Sequence, residues 1–274
     1  MGIGLIKNKM QNIQLTDKRT GKTTGYTGAE KWGELTTPQF LAVMRAKSLL
    51  DDPFKQAVVL AQVLFDIPLE LVQRLTTVQA TQLAGVVTFV FEGAVEIDQW
   101  HLTHLLRRGK SALYGPSETL GNICFGELMF ADLYLRKYQK TKDLKDLDFL
   151  VAILYREGDG ENRLTTGDTR NVFNKNLVEE QAKQLASIKE VTKQAVLVNY
   201  IGCRAVMAKS FPNVFPQRKV DEVVKESRET WLDVGIQLAR KEHALGTIAE
   251  VEATNAWLVL KVLDKVIGEV ESKE

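Results

Sequence analysis

A mainly α-helical protein, built of many helices with one small β-hairpin and a flexible N-terminal arm, is the fold class this sequence predicts. Three observations point to it. Apolar residues recur at three- and four-residue steps over most of the chain from Trp32 onward, hydroxyl or proline start signals precede several of these runs, and the first 31 residues lack the period. The 274 residues are 45% hydrophobic and 26% charged, an ordinary globular composition.

Residues 1–31 set Lys7, Lys9, Lys18, Arg19, Lys22 and Lys31 against Asp17 and Glu30 and include a Gly/Thr-rich stretch from Thr20 to Gly28. Such a composition buries little surface and reads as a flexible basic arm. An N-terminal helical domain is expected over 32–157. Thr36-Thr37-Pro38-Gln39 supplies a hydroxyl cap, a first-turn proline and a Gln that reaches back to the cap, so a helix starts there and runs to about Leu50. Phe54 to Phe65 and Pro68 to Arg74 form two more helical pieces, broken at Ile67-Pro68. Thr76-Thr77-Val78-Gln79 repeats the start signal before an apolar run ending at Phe91.

Beyond Gly93 the helical period fades. His101 to Leu106 and Ser111 to Tyr114 flank the polar turn Arg107-Arg108-Gly109-Lys110, which reads as the only hairpin. Helices resume at about Phe125 to Gln139 and Leu147 to Glu157. A glycine-rich polar loop over 158–176 then divides the two halves. In the long-helix region 177–274, Leu185, Ile188, Val191, Ala195, Val198 and Gly202 share one face and predict a single helix of nearly thirty residues from Leu177 to Lys209. Val220, Val224, Trp231, Val234 and Leu238 mark another helix. Ile248, Val251, Leu258, Val262 and Val266 mark the last.

Charge argues against binding by bulk field: 36 Lys plus Arg face 35 Asp plus Glu, a formal +1, so neither nucleic acid nor an anionic membrane is indicated. Apolar runs fall short of the ~20 residues of a membrane span, and no signal-peptide pattern opens the chain. Cys124 and Cys203 stand in apolar contexts outside any CxxC spacing, which suits a reducing compartment and makes the cytoplasm the expected location.

No complete catalytic motif appears, and no cofactor or metal is expected. His101 and His104 share the right spacing on a helix but point apart on a strand. His243 near a helix end reads as dipole chemistry. Cys124 has an apolar neighbourhood that weakens a thiolate. Thr20-Gly21-Lys22-Thr23 ends like a phosphate loop, yet Thr16 stands where its first glycine belongs. Asp159 and Glu161 are out of register for a calcium loop. Glu127, Asp132, Asp146 and Asp148 bracket two helices. A metal-dependent hydrolase built on Glu127 and Asp132 is the enzymatic alternative, against ordinary first-turn acids.

Several phrases together resemble a family of tailed-phage proteins encoded near the tail genes and described as tail-assembly or chaperone-like. They are Trp32-x-Glu34-Leu35-Thr36-x-x-Gln39, the Leu-rich Pro68 to Leu83, and Gly109-Lys110 with Tyr114 and Pro116. The most distinctive are Phe125-Gly126-Glu127 with Asp132 and Tyr134, and Leu150-Val151-Ala152-Ile153-Leu154-Tyr155-Arg156. The resemblance covers about 32–260, with Cys124 where a Thr cap is usual. It implies a non-enzymatic assembly factor, acting in the host cytoplasm and binding another phage structural or tail protein through helical surfaces. The alternatives it leaves are a structural component of the virion and a host-interaction adaptor.

Overall fold

The structure, a computed structural model, describes residues 11–17, 19–107, 109–158, 168–216, 231–240 and 246–271. Helices dominate these residues, joined by two separate two-stranded antiparallel ladders. The chain divides into two compact units, the first reaching to Ile97 and the second starting at Asp98.

The first unit opens on a β-hairpin and not on an arm. Residues 11–28, expected within a flexible arm, pair as β1 (Gln11–Thr16) and β2 (Thr23–Gly28), with Gln11 opposite Gly28 and Thr16 opposite Thr23. Lys7, Lys9 and Lys18 lie outside the described residues. Ile13 and Leu15 alternate with the exposed Asn12, Gln14 and Thr16, and Ile13 faces Tyr26 across the ladder. That two-residue period is the strand signal that the charge and glycine content masked. Gly21 closes the turn at φ +69°, donating to the Asp17 carbonyl at 2.8 Å. Thr20-Gly21-Lys22-Thr23 is thus a hairpin turn leading into β2, without the helix that a phosphate loop requires.

Four helices follow: α1 (Thr37–Leu49), α2 (Pro53–Leu64), α3 (Leu69–Val72) and α4 (Thr77–Gly85). Thr36 and Thr76 each form the reciprocal capping box with the Gln three residues on, as their shared wording predicts. Asp52 caps α2 through the Phe54 and Lys55 amides. The run expected to continue to Phe91 stops at Gly85 and resumes as a 3₁₀ turn over Thr88–Val90. Trp32 anchors this unit, edge-on to Phe40 and Phe89, with its Nε1 donating to the Phe89 carbonyl at 3.1 Å.

In the second unit β3 (His104–Leu105) pairs with β4 (Leu113–Tyr114), the hairpin expected there, two residues long on each side. Arg108 in its turn lies outside the described residues. Next come α5 (Phe125–Thr141) and α6 (Leu144–Leu154), separated by Lys142 in the left-handed region at φ +57°. Leu150 to Leu154 are all buried, so the Leu-Val-Ala-Ile-Leu phrase is a central helix covered on every side. Helices α7 (Val178–Lys183) and α8 (Glu190–Lys209) pack on α6. These contacts tie residues on both sides of the 158–176 loop into one unit, which displaces the expected domain boundary to Ile97/Asp98.

Two long helices expected from the apolar period are broken. The segment Leu177–Lys209 contains a 3₁₀ turn over Gln184–Ser187 and extended backbone at Ile188 and Lys189. Leu185 in that turn and Ile188 just after it are both buried, so the period survives while the helix does not. The last helix divides into α10 (Ile248–Ala253) and α11 (Ala256–Glu271), with α9 (Trp231–Arg240) before them. Asn255 makes the break: its Oδ1 accepts from the Trp257 and Leu258 amides, and its backbone bridges Cys124. Val220, Val224 and His243 lie outside the described residues.

Candidate functional site

Glu127 stands in the first turn of α5, where its Oε2 accepts from the Cys124 amide at 3.0 Å. The Glu half of a capping box is therefore kept although Cys replaces the usual Thr. The rest of the carboxylate is spent on two guanidinium groups. Oε1 accepts from Arg156 Nη1 at 2.7 Å and from Arg170 Nη1 at 2.8 Å, and Arg170 Nη2 lies 3.5 Å from Oε2. Arg170 also grips Asp168, with Nη2 to Oδ2 at 2.7 Å, and donates to the carbonyls of Leu154 and Asn122. Two carboxylates and two guanidiniums thus balance in charge, and all four side chains are at most 7% exposed. Burial alone would raise the Glu127 carboxyl; the charges of Arg170 and Arg156 outweigh it and hold the group below its ordinary value.

Asp132, about one and a half turns beyond Glu127 at about 3.6 residues per turn and 1% exposed, belongs to a second cluster. Its Oδ1 accepts from Tyr200 Oη at 2.8 Å and Arg204 Nε at 2.6 Å, and its Oδ2 from Arg204 Nη2 at 2.7 Å and Trp231 Nε1 at 2.8 Å. Each oxygen receives two donors. Burial, with the Asp132 charge beside it, pushes the Tyr200 hydroxyl well above its ordinary value. Glu127 and Asp132 share no partner in these contacts. With their lone pairs filled by N–H and O–H donors, they offer a cation no ready coordination. What the two clusters do is fasten α5 to α6, to residues 168–171, to α8 and to α9.

The remaining candidates disperse. Asp146 accepts from Thr141 Oγ1 at 3.1 Å, and Asp148 pairs with Lys193 at 2.6 Å. His101 is buried, its backbone N–H donating to Asn199 Oδ1, while His104 is exposed beside Thr103. Burial depresses the His101 imidazole against the opposing pull of Asp98. Cys124 and Cys203 are both free thiols, pushed up to about 12 by burial first. Asp159 and Glu161 lie outside the described residues. Among the described residues no group of three or more His, Cys, Asp or Glu is arranged to hold a metal, and no helix is long and apolar enough to cross a membrane.

Local spacing marks neither Arg156 nor Arg170 as a partner of Glu127. Arg156 reads as a complement to the α6 dipole, and it does donate to the Ile153 carbonyl at 2.7 Å. Its larger role is as one arm of the Glu127 cluster. The surface of the second unit carries two further features of note. A cavity of about 110 Å³ opens beside Arg107 and Arg156. On α11, Leu258, Val262, Val266 and Val270 recur at four-residue steps, with Leu258, Val266 and Val270 about half exposed.

Fold and clusters together define a mainly α-helical protein of two compact units, the second organised around buried ion pairs. Comparison with protein-family models, with curated proteins and with solved structures finds no match.

Proposed function

We propose that this protein is a non-enzymatic assembly factor of a tailed bacteriophage, chaperone-like in action, which binds another phage protein through a helical surface in the host cytoplasm. The observation that carries the reading is the α11 stripe of Leu258, Val262, Val266 and Val270. An exposed apolar line at helical spacing is what a partner helix or groove takes up, each half-exposed side chain contributing about 1 kcal/mol when covered. Along α8, Glu190–Lys209, no large apolar side chain is exposed, so that helix offers no comparable line. The saturated carboxylates of Glu127 and Asp132 weigh against the hydrolase alternative. The phage setting and the tail component as partner rest on the motif resemblance.

Affinity capture from infected cells, combined with mass spectrometry of purified virions, tests this. The expected result is a phage tail protein in the capture and no stoichiometric copy of this chain in mature particles. Recovery at stoichiometric copy number replaces the assembly reading with a structural one, and capture of host regulators alone overturns both.

A further inference from the structure

The cavity in the second unit is walled by Arg107, Arg156, Glu157, Asn171, Gln181 and Gln184, with Leu113 and Tyr155 behind them. Both arginines are out of water, at 1% and 2% side-chain exposure. Arg107 is held as a rigid fork: Nε donates to the Ser111 carbonyl at 3.0 Å, Nη1 to Gln184 Oε1 at 2.7 Å and Nη2 to Glu157 Oε1 at 2.6 Å. Its carboxylate partner is different in kind, because the Glu157 side chain is 52% exposed. Arg156 uses Nε on the Asn171 carbonyl and Nη1 on Glu127 and Ile153, while Nη2 meets no hydrogen-bond partner among the described residues.

We propose that this cavity is a binding site for a small tetrahedral oxyanion of the phosphate class, with Glu157 as its built-in competitor. The wall presents two guanidiniums, of which Arg156 is already neutralised by Glu127 beneath it and Arg107 is neutralised only by Glu157. That carboxylate is half-exposed, so its outward rotation leaves the Arg107 charge uncompensated inside the cavity. An entering anion then takes the Arg107 Nη2 donor that Glu157 gives up and the unused donors of Arg156, in the bidentate manner that guanidinium favours. The amides of Gln181 and Gln184 add neutral polar groups to the wall. Size agrees: at roughly 30 Å³ per water, 110 Å³ is about three to four waters, close to the four oxygens of a phosphate. No covalent step is involved. The site is independent of the α11 surface.

The test is a saturable rise in melting temperature of the full chain with inorganic phosphate, at constant ionic strength against sodium chloride, with acetate as the planar control. Wild-type protein is expected to respond to phosphate. Glu157→Gln, at a half-exposed position, is expected to bind phosphate about tenfold more tightly, because a charge-assisted hydrogen bond no longer has to be broken first. Arg107→Gln is expected to lose the response; if it fails to fold, Glu157→Gln decides alone. No saturable response beyond that to sodium chloride overturns the proposal. Equal affinity in wild type and Glu157→Gln means an adventitious ion only and overturns it as well. Saturation by acetate without phosphate overturns the tetrahedral assignment.

Discussion

Arg170 donates from Nη1 to Oε1 of Glu127 at 2.8 Å across 43 residues of chain, and both side chains are shut away from water. Ion pairs so buried hold a fold together by geometry more than by net energy, since desolvation offsets most of the Coulomb attraction. Their removal one partner at a time is another matter. An unpaired charge is then left inside.

Glu127→Gln keeps the volume of the side chain and leaves Arg156 and Arg170 facing a neutral amide, so a loss of about 3–5 kcal/mol is expected. Urea denaturation reads it as a lower midpoint at unchanged slope. The sign with pH follows from the depressed carboxyl. Its stabilisation is fully present above the unfolded value, about 4.3, and is lost as pH falls through the folded value below that. Wild-type stability therefore declines on the acid side of that range more steeply than that of Glu127→Gln. Parallel acid limbs would show that Glu127 does not carry the linkage.

Gly115 has no room for a methyl group: a Cβ there would lie 2.6 Å from Trp100 Nε1 and 2.9 Å from the Tyr155 ring. Those two side chains are locked, Trp100 Nε1 donating to Tyr155 Oη and to the Leu102 carbonyl, both at 3.0 Å. Gly115→Ala is expected to cost about 1–3 kcal/mol through overpacking and to shift the near-ultraviolet circular dichroism of Trp100. An unchanged spectrum with unchanged stability would mean that the neighbours yield freely.

Both thiols should be inert in the folded state. With Cys124 and Cys203 pushed up to about 12, only about one molecule in ten thousand is thiolate at pH 8, and the thiolate is the reactive form. A chromogenic disulfide reagent is expected to titrate two thiols in urea and react far more slowly without it. Fast native reaction at Cys124, the more exposed of the two, would contradict the upward shift.

What was legible in the sequence was local. The capping boxes at Thr36 and Thr76 need only residues three apart, and both form as read. The Ile13 and Leu15 alternation was equally local, but the basic and glycine-rich composition around it reads as an arm when period is not weighed against charge. The breaks at Ile188-Lys189 and Thr254-Asn255 were hidden because the apolar period runs across them; burial constrains which side chains point inward, not whether the backbone between them is helical. The Glu127 cluster was out of reach for a different reason. Its partners stand 29 and 43 residues away, and nothing in local spacing pairs Glu127 with Arg156 or Arg170. Candidate acids were thus found by residue type while their structural role needed the fold.

The α11 stripe separates partner binding from folding. Leu258 and Val266 are 50% and 46% exposed, so Leu258→Lys with Val266→Lys removes little packing, and surface changes of this kind usually stay within about 0.5 kcal/mol per site. Each lysine, however, would bring an unpaired charge into any apolar contact made by this face, at a cost of several kcal/mol for a buried ion. The double variant is therefore expected to keep its urea midpoint within about 1 kcal/mol of wild type and to lose the captured phage protein from infected-cell pull-downs. Lys265 and Glu269, paired across one turn at 3.7 Å beside the stripe, supply the control: Lys265→Ala leaves the apolar line intact and should retain capture. Capture that survives Leu258→Lys with Val266→Lys would move the binding surface off α11.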